Sequence, residues 1–408
     1  MGTECRSCLY DSNHPFGIEF DNSNLCSGCA YHMEKDEIDW KYQLSQLQLL
    51  LKDYRSNQGN TDCIVPITGG QDSFFILHFV INVLKLNPLI VNFNRNFNSK
   101  IGLANLARLR STFDCNFQQL TPSRNLAQRI VRTTLSKLGT LNWLNIAGQT
   151  SYPVRLSVEK KIPLIIWGAH QGNEQVGMFK HSDAVEMTRR YRRDIDLMGM
   201  DETDLWMMDA DVSDAELSLI SYPSDNLLTQ TGTKGIYLGN FVRWDPVAQH
   251  DFTVKTYGYL GQSSNRTYYP YDNPDCEFYN GFQDYLKFIK LGYSKVTDQL
   301  VRDIRHGRIT RNQALVVKKK YETNQPENIN ELAKWLNCTF EALNLSILNF
   351  ARDFQEQIVN EKWRERLSKF PTGENISQSS YTTDRLFLSR DERASEFGRG
   401  QWKNEIEC

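Results

Sequence analysis

The sequence predicts an α/β fold in which crossover helices join the strands of a parallel sheet. A short cysteine-rich module precedes this domain and a mainly helical region follows it. Three observations support the prediction: apolar strands and helices alternate through the middle of the chain, four cysteines lie among turn residues near the start, and helical spacing dominates beyond residue 245. No apolar run approaches the roughly 20 residues that span a bilayer, and the start lacks the features of a signal peptide. We therefore expect a cytoplasmic protein without a membrane span.

Five parts follow from these patterns: a cysteine module, a linking helix, the α/β domain, a mainly helical region and a polar tail, at residues 1–35, 36–58, 59–245, 246–367 and 368–408. The strands of the α/β domain are predicted at "CIVPI", "PLIVNFN" and "IPLIIWG". The helices are predicted at "FFILHFVINVLKL", "GLANLARLR" and "YPVRLSVEKK". Alternation of this kind produces parallel strands connected by helices.

The cysteines form two pairs, Cys5-x-x-Cys8 and Cys26-x-x-Cys29, with seventeen residues between them. This spacing is typical of a structural zinc site with four thiolate ligands. The surrounding segment has little apolar content, and metal binding would supply the folding free energy that it lacks. The alternative is two unrelated pairs of buried or reactive cysteines. Two histidines lie nearby, but four thiolates already complete a tetrahedron.

The segment "PITGGQDS", residues 66–73, lies between the first predicted strand and the helix after it. A glycine pair there allows a sharp turn and directs successive N–H groups into one concavity at a helix N-terminus, which favours phosphate. Thr68 and Ser73 add hydroxyl groups, whereas Asp72 can lie beside an anion only if a divalent cation bridges them, which indicates Mg²⁺. The segment is neither a Walker loop nor a dinucleotide fingerprint. A chance Gly-Gly turn is the alternative.

This segment resembles the pyrophosphate loop, Ser-Gly-Gly-x-Asp-Ser, of the ATP pyrophosphatase (PP-loop) superfamily, with Thr68 in place of serine. The resemblance implies a sheet of the adenine-nucleotide alpha-hydrolase type. Six segments in one order, from the cysteine pairs through "VNFNRNFNSKIGLANL", "IPLIIWGAHQGNEQVGMF" and "DAVEMTRRYR" to "DIRHGRITRNQAL", are together similar to the N-acetyl sugar amidotransferase family of bacterial surface-polysaccharide (LPS O-antigen) biosynthesis.

Membership of that family implies an ATP-dependent C–N ligase that converts a sugar acetamido group into an acetamidino group. The amide oxygen would first be adenylated, giving an imidoyl-AMP intermediate and pyrophosphate, and ammonia would then displace AMP. The implied partners are a separate glutaminase subunit and a cyclase-like ammonia-channel subunit, both related to those of histidine biosynthesis. The substrate would be a sugar or a nucleotide sugar.

The resemblance also implies roles for individual residues. The backbone N–H groups of Gly69, Gly70 and Gln71 would bind the β- and γ-phosphates of ATP, together with the hydroxyl groups of Thr68 and Ser73. Asp72 would bind Mg²⁺, and Asp72 and Ser73 are the candidate catalytic residues. The remaining candidates for the nucleotide pocket are Asn94, Asn98, Ser99, Trp167 and Gly168. The alternatives are an Asn-rich turn that satisfies its own backbone and a tryptophan that belongs to the core.

Candidate substrate residues fall in three segments. Glu174 belongs to "HQGNEQVGMF", while Asp183, Glu186 and Arg189 follow one another at a spacing that puts at least two of them on one face of a helix. The basic stretch from 302 to 320 is expected to hold a sugar-linked diphosphate or a sugar carboxylate, with Arg305, Arg308 and Arg311 as the candidates. A solvated ion-pair face and a solvated basic helix are the alternatives.

Two other functions fit parts of the pattern. A tRNA-thiolating PP-loop enzyme would need a broad basic surface and a reactive cysteine, for which Cys63 and Cys115 are candidates. The formal net charge of −2 argues against nucleic-acid binding. A zinc-containing DNA-binding scaffold, with "DIRHGRITRNQAL" and "ELAKWLNCTFEAL" as its helices, is the weaker alternative because no dimer signal accompanies it.

Overall fold

The computed structural model describes residues 3–343 with short gaps at 13, 15, 57–58, 184 and 208–210. The predicted polar tail at 368–408 lies outside the described residues, as does the end of the predicted helical region from 344 to 367.

Five parallel strands form one sheet in the order β3-β2-β1-β4-β5. Their bounds are β1 Cys63–Ile67, β2 Pro88–Phe93, β3 Phe117–Leu120, β4 Leu164–Trp167 and β5 Lys234–Tyr237. The chain therefore adds strands on one side of β1 and then returns to add β4 and β5 on the other side, so the strand order reverses between β1 and β4. The predicted α/β class with a parallel sheet is confirmed.

Helices join the strands and build the regions on either side of the sheet domain. In the described residues they are α1 Ser27–Glu37, α2 Trp40–Leu50, α3 Gln71–His78, α4 Lys100–Thr112, α5 Arg124–Leu138, α6 Trp143–Lys160, α7 Gln171–Val176, α8 Arg189–Tyr191, α9 Glu202–Met207, α10 Asp214–Leu217, α11 Asp225–Thr231, α12 Pro246–Tyr257, α13 Asp284–Leu291, α14 Lys295–Arg305, α15 Arg311–Tyr321 and α16 Ile329–Leu336. No helix in this part of the chain is both long and apolar enough to cross a membrane.

Side chains of the central strands alternate between two apolar layers. Val65 and Ile67 belong to the layer that contains Phe74 of α3, whereas Ile64 belongs to the opposite layer with Leu144 of α6. The crossover helices of a parallel sheet pack on both of its faces, so its strands are buried on both sides. The continuous apolar runs of β1, β2 and β4 are the sequence signature of this arrangement.

Residues on both sides of the predicted boundary at 245 share the first of these layers. Trp244, Tyr259 and Tyr271 all lie in it, and α12 packs on α3, where the hydroxyl of Tyr257 is 2.7 Å from Nδ1 of His78. The segment that follows β5 therefore continues to build the domain around the sheet.

The cysteine module packs against the rest of the chain. Its four cysteines share an apolar cluster with Val176 and Phe179, which end and follow α7, and with Val301 of α14. Beyond this contact the chain is mainly helical, as predicted, and a capping box between Thr310 and Gln313 opens α15.

Candidate functional site

The strand order of the sheet reverses between β1 and β4. The loop after β1 turns toward α3, while the loop after β4 leads to α7 on the far side of the strand-order reversal. In open α/β sheets ligands bind at this point, because the two diverging loops leave a crevice above the strand ends. The predicted pyrophosphate loop therefore lies at the place where this fold accommodates a ligand.

The loop at residues 68–70 is compact and uses its own hydroxyl groups. Gly69 has a φ of +88°, a conformation that glycine adopts without strain. The backbone N–H of Thr68 donates to Oγ of Ser73 at 3.1 Å, and the N–H of Gly70 donates to Oγ1 of Thr68 at 3.2 Å. Both hydroxyl oxygens accept from the loop, which leaves each O–H able to donate to a ligand.

Tyr259 lies at the start of α3. Its hydroxyl donates to the carbonyl oxygen of Tyr271 at 3.1 Å and lies near the backbone N–H of Gln71. The first N–H groups of a helix have no partner within the helix, so this phenol lies beside a group that a phosphate could use. A phosphate at the Gln71 N–H would compete with this phenol.

Asp72 carries a buried carboxyl oxygen without a hydrogen bond. No partner for its Oδ1 lies in the described part of the chain. Burial, followed by the nearby carboxylate of Asp272, raises the pKa of Asp72 to about 6, although Arg302 opposes the shift. A divalent cation would complete this environment. Because Mg²⁺ usually takes one or two protein carboxylates together with phosphate oxygens, the single unpaired Asp72 oxygen fits that ion.

Two further carboxylates near the loop were not anticipated from the sequence. Oδ1 of Asp275 lies 3.9 Å from the position that a Cβ on Gly70 would occupy, and its Oδ2 lies 3.2 Å from Nη2 of Arg95. The Oδ2 of Asp272 accepts from Nη2 of Arg302 at 2.7 Å. Both carboxylates belong to the 271–275 turn. Of their arginine partners, Arg95 lies in the loop after β2 and Arg302 lies in α14. The only local signal is the pair of acids in "YDNPD", far along the chain from the glycine loop.

The loop after β2 largely satisfies its own polar groups. Ser99 caps α4 by accepting from the N–H of Gly102 at 2.9 Å and donates to the carbonyl oxygen of Pro274. Nδ2 of Asn98 donates to Oδ1 of Asn94 at 2.7 Å. These contacts match the alternative of a self-satisfied turn, and they also anchor the 271–275 segment next to the glycine loop.

The end of β4 places its two candidate residues differently. Trp167 belongs to the apolar layers away from α3, and its Nε1 has no hydrogen-bond partner in the described residues. Gly168 allows close packing: a Cβ there would lie 3.0 Å from Cδ1 of Ile76 in α3 and 3.3 Å from the ring of Trp244. Packing between the strand and α3 is therefore sufficient to explain this glycine.

Glu174 is part of a clamp on α7. Nζ of Lys35 donates to both of its carboxylate oxygens, at 2.6 and 2.8 Å. Nη1 of Arg305 donates to the carbonyl oxygens of Glu174 and Gln175, each at 2.8 Å. Both cationic side chains therefore hold α7 between the cysteine module and α14.

The prediction that Asp183, Glu186 and Arg189 lie on one helix is wrong. His181–Asp183 form a single 3-10 turn, Glu186 makes an isolated bridge to Ile236 of β5, and α8 begins only at Arg189. Strand pairing at Glu186 prevents the segment from continuing as a helix. Nε of Arg189 donates to Oδ1 of Asp225 at 2.9 Å, and Oδ2 of Asp183 accepts the N–H of Lys180 at 2.8 Å.

The basic stretch is also engaged within the chain. The guanidinium of Arg308 pairs with Asp245, and Nη2 of Arg311 pairs with Oε2 of Glu4 at 2.9 Å. With Arg305 bound to α7, the three candidate arginines connect α14 and α15 to the cysteine module and to the start of α12. A run of charge in the sequence shows the cations but not the partners that fold beside them.

The four cysteines form a buried cluster. Sγ of Cys5 lies 3.9 Å from that of Cys29, Sγ of Cys8 lies 3.6 Å from that of Cys26, and all four lie within 4.8 Å of one another. Sulfurs bound to one tetrahedral zinc at 2.3 Å are about 3.8 Å apart, whereas a disulfide brings them to about 2 Å. The N–H groups of Cys8 and Cys26 also donate to Sγ of Cys5 at 3.4 Å. The cluster fits a closed zinc site.

The cysteines proposed for a thiolation reaction lie at the other edge of the sheet. Cys63 begins β1, and Cys115 lies just before β3, so both are at the amino ends of strands. Burial raises the pKa of each thiol. The glycine loop is at the carboxyl edge, which separates it from both residues by the length of a strand.

Comparison with known proteins bears on the C-terminal region. Residues 262–378 match the family model described as "LPS biosynthesis protein WbpG-like, C-terminal domain". The match supports the LPS biosynthesis family and hence a role in surface-glycan biosynthesis. The matched range begins before the 271–275 turn and includes α14, so it contains Asp272, Asp275 and Arg302 of the site.

A curated relative is a protein of Methanocaldococcus jannaschii, "Uncharacterized protein MJ1599", which is 24% identical over 102 residues. The aligned part is 25% of this chain and 36% of that protein, so the chain spans about a third of the length of this relative.

Proposed function

We propose that the chain is an ATP-dependent amidotransferase that converts the acetamido group of a surface-glycan sugar into an acetamidino group. The proposal combines the LPS biosynthesis family match with the position of the glycine loop at the carboxyl edge of the sheet, where the strand order reverses. It also includes a cytoplasmic location, where thiols stay reduced and available to zinc.

The main support is a set of buried polar atoms that lack hydrogen-bond partners in the described part of the chain. Those at this edge of the sheet are Oε1 of Gln71, Oδ1 of Asp72, Oδ1 of Asn92, Nη1 of Arg95, Nε2 of His170 and both carboxylate oxygens of Asp275. They follow or end β1, β2 and β4, apart from Asp275, which reaches the same edge from the 271–275 turn. Buried polar groups are normally paired, so these atoms, which lie at one edge of the sheet, favour a polar ligand there.

The glycine loop favours a ligand that carries phosphate. Thr68 and Ser73 each retain an O–H that can donate, and the start of α3 directs N–H groups and its dipole toward the same point. Mg²⁺ bound to Asp72 would neutralise charge on the phosphates. Binding in this cradle would leave the α-phosphorus directed away from the loop, toward the substrate amide.

The reaction balances as a two-step group transfer. The amide oxygen attacks the α-phosphorus of ATP, and the bond to the β-phosphate breaks to release pyrophosphate. Ammonia then attacks the imidoyl carbon, loses a proton, and AMP leaves with the former amide oxygen. An amide is a poor electrophile, and this sequence converts its oxygen into a leaving group. The protein would orient the amide in line with the phosphate and exclude water.

Ammonia from a separate glutaminase, conducted by a cyclase-like subunit, is part of the proposal. Both would act as partners of this chain, and added ammonium should replace them in vitro. Activity of the isolated chain with glutamine alone would contradict this part.

The proposal is tested by mass spectrometry of diacetamido sugars, free or nucleotide-linked, after incubation with the chain, MgATP and ammonium. The expected product has lost about one mass unit as O becomes NH, and AMP and pyrophosphate accumulate in equal amounts. Formation of ADP and orthophosphate would refute the proposal.

A further inference from the structure

Arg95 and Asp275 form a buried ion pair beside the glycine loop. Arg95 lies just after β2, and Asp275 lies in the turn that follows Tyr271. Arg95 is 6% exposed and Asp275 is 2% exposed. Nη2 of Arg95 lies 3.2 Å from Oδ2 of Asp275, while Oδ1 of Asp275 points to Gly70. The pair therefore lies next to the glycine loop.

The pair does not satisfy its own hydrogen-bonding groups. Nη1 of Arg95 is buried without a hydrogen-bond partner in the described residues, and the contact with Asp275 is an ion pair whose geometry leaves both carboxylate oxygens without a hydrogen bond. A buried guanidinium has five N–H groups that lose water on folding. Leaving one of its nitrogens unpaired is costly, so such an arrangement favours a ligand that supplies the missing acceptor.

Another buried arginine shows what a purely structural role looks like in this chain. Arg192 is 1% exposed and donates from every guanidinium nitrogen: Nε to Thr150, Nη1 to Glu202, and Nη2 to the carbonyl oxygens of Ala147 and Ile220. Arg95 has comparable burial but lacks this complete set of partners. Arg266 also has a buried nitrogen without a hydrogen bond, but its ion pair with Asp284 lies away from the glycine loop, so Arg95 is the one of the two that a ligand at this loop could complete.

We propose that Arg95 is a direct ligand of the ATP phosphates and that Asp275 positions it. This inference rests on the proposed function. An anion is the ligand that a guanidinium binds best, because its N–H fork matches phosphate oxygens. The glycine loop and the start of α3 supply the neutral donors on the other side, and Asp275 keeps the site from accumulating excess positive charge.

The alternative is that Arg95 only anchors the 271–275 turn. That turn already has other anchors. The hydroxyl of Ser99 donates to the carbonyl oxygen of Pro274, and the backbone N–H of Ser99 donates to the carbonyl oxygen of Asp275 at 3.3 Å. If Arg95 were only an anchor, its substitution would lower stability and weaken the binding of every ligand equally. A phosphate ligand would affect phosphate-bearing molecules alone.

The test compares Arg95→Lys and the double variant R95M/D275N with Arg192→Lys as the matched control. Calorimetric titration measures the affinity for MgATP, Mg-pyrophosphate and adenosine, and thermal denaturation measures stability. Arg95→Lys keeps the ion pair but loses the second arm of the fork, and R95M/D275N removes both charges without leaving one of them unpaired.

We expect about tenfold weaker binding of MgATP and Mg-pyrophosphate for Arg95→Lys and about 100-fold weaker binding for the double variant. Adenosine affinity should stay unchanged, and Arg192→Lys should lower the melting temperature without changing any affinity. Wild-type affinity for pyrophosphate in both Arg95 variants, or equal losses for adenosine and pyrophosphate, would overturn the inference, and so would failure of both to fold. If the wild-type chain binds neither MgATP nor Mg-pyrophosphate, the proposed function itself fails.

Discussion

Replacing Asp72 by asparagine removes a buried charge beside the glycine loop while keeping the shape of the side chain. Oδ1 of Asp72 has no hydrogen-bond partner in the described part of the chain, and Asp272 and Glu174 add negative charge nearby. If the Mg²⁺ that accompanies the phosphates is the group that balances this charge, the ligand-free protein is destabilised by it. Asp72→Asn should therefore be more stable than the wild type without ligand, and inactive.

The magnitude follows from the pKa of Asp72, which rises from 3.8 to about 6 on folding. Each pKa unit corresponds to about 1.4 kcal/mol, so ionised Asp72 lowers the free energy of unfolding by up to about 3 kcal/mol at pH 7. The folded state holds the proton more tightly than the unfolded state. The stability that the folded state gains by binding this proton is thus fully present below pH 3.8 and is lost as the pH rises through about 6.

Urea denaturation at pH 7 and at pH 4.5, followed by tryptophan fluorescence, measures this difference. Asp72→Asn should gain up to about 3 kcal/mol at pH 7 and clearly less at pH 4.5, and MgATP should stabilise the wild type more than the variant. Asp62→Asn is the matched control, because Asp62 is buried but accepts from the N–H groups of Ser56 and Asn87, each at 2.7 Å. The control should lose stability. A less stable Asp72→Asn at pH 7, or one that still forms AMP, would refute the reasoning.

Three further predictions concern the surroundings of the site. Cys29→Ser should lose one equivalent of bound zinc, measured by metal analysis of the purified protein, and should unfold at a lower urea concentration; unchanged zinc content would contradict the four-thiolate site. Glu174→Gln leaves the ammonium of Lys35 buried without its carboxylate and should cost about 3–5 kcal/mol in the free energy of unfolding; an unchanged urea midpoint would contradict this prediction. Burial lowers the pKa of His170 from 6.5 to about 3, so the wild type should lose stability as the pH falls below 6.5, and His170→Gln should lose less over that range. Equal acid profiles for the two proteins would contradict the last prediction.

The central strands could be predicted because they are buried on both faces and read as continuous apolar runs. β3, "FQQL", and β5, "KGIY", were not predicted. Both are four-residue strands at the edges of the sheet. β3 is only partly buried, and β5 is buried but contains Lys234 and Gly235, so neither shows an apolar run. Their positions follow from pairing with β2 and β4, which a local pattern does not contain.

The candidate site was predictable where one segment carries it. The cysteine pairs and the glycine loop each bring their residues together by local spacing, and the structure clusters the cysteines as expected. Arg95, Asp272 and Asp275 were missed because the site joins the loop after β2 to a turn nearly 180 residues further along the chain. The arginines of α14 and α15 were predicted as a binding patch because sequence shows charge without its partners.

The fate of the amide oxygen tests the central claim most directly. A diacetamido sugar labelled with ¹⁸O only in the carbonyl of the acetamido group that is converted is incubated with the chain, MgATP and ammonium, and the nucleotide product is analysed by mass spectrometry. The account predicts that the label leaves the sugar and appears in AMP, in step with pyrophosphate release. Label that remains in the sugar product, or that appears in orthophosphate beside ADP, would contradict it.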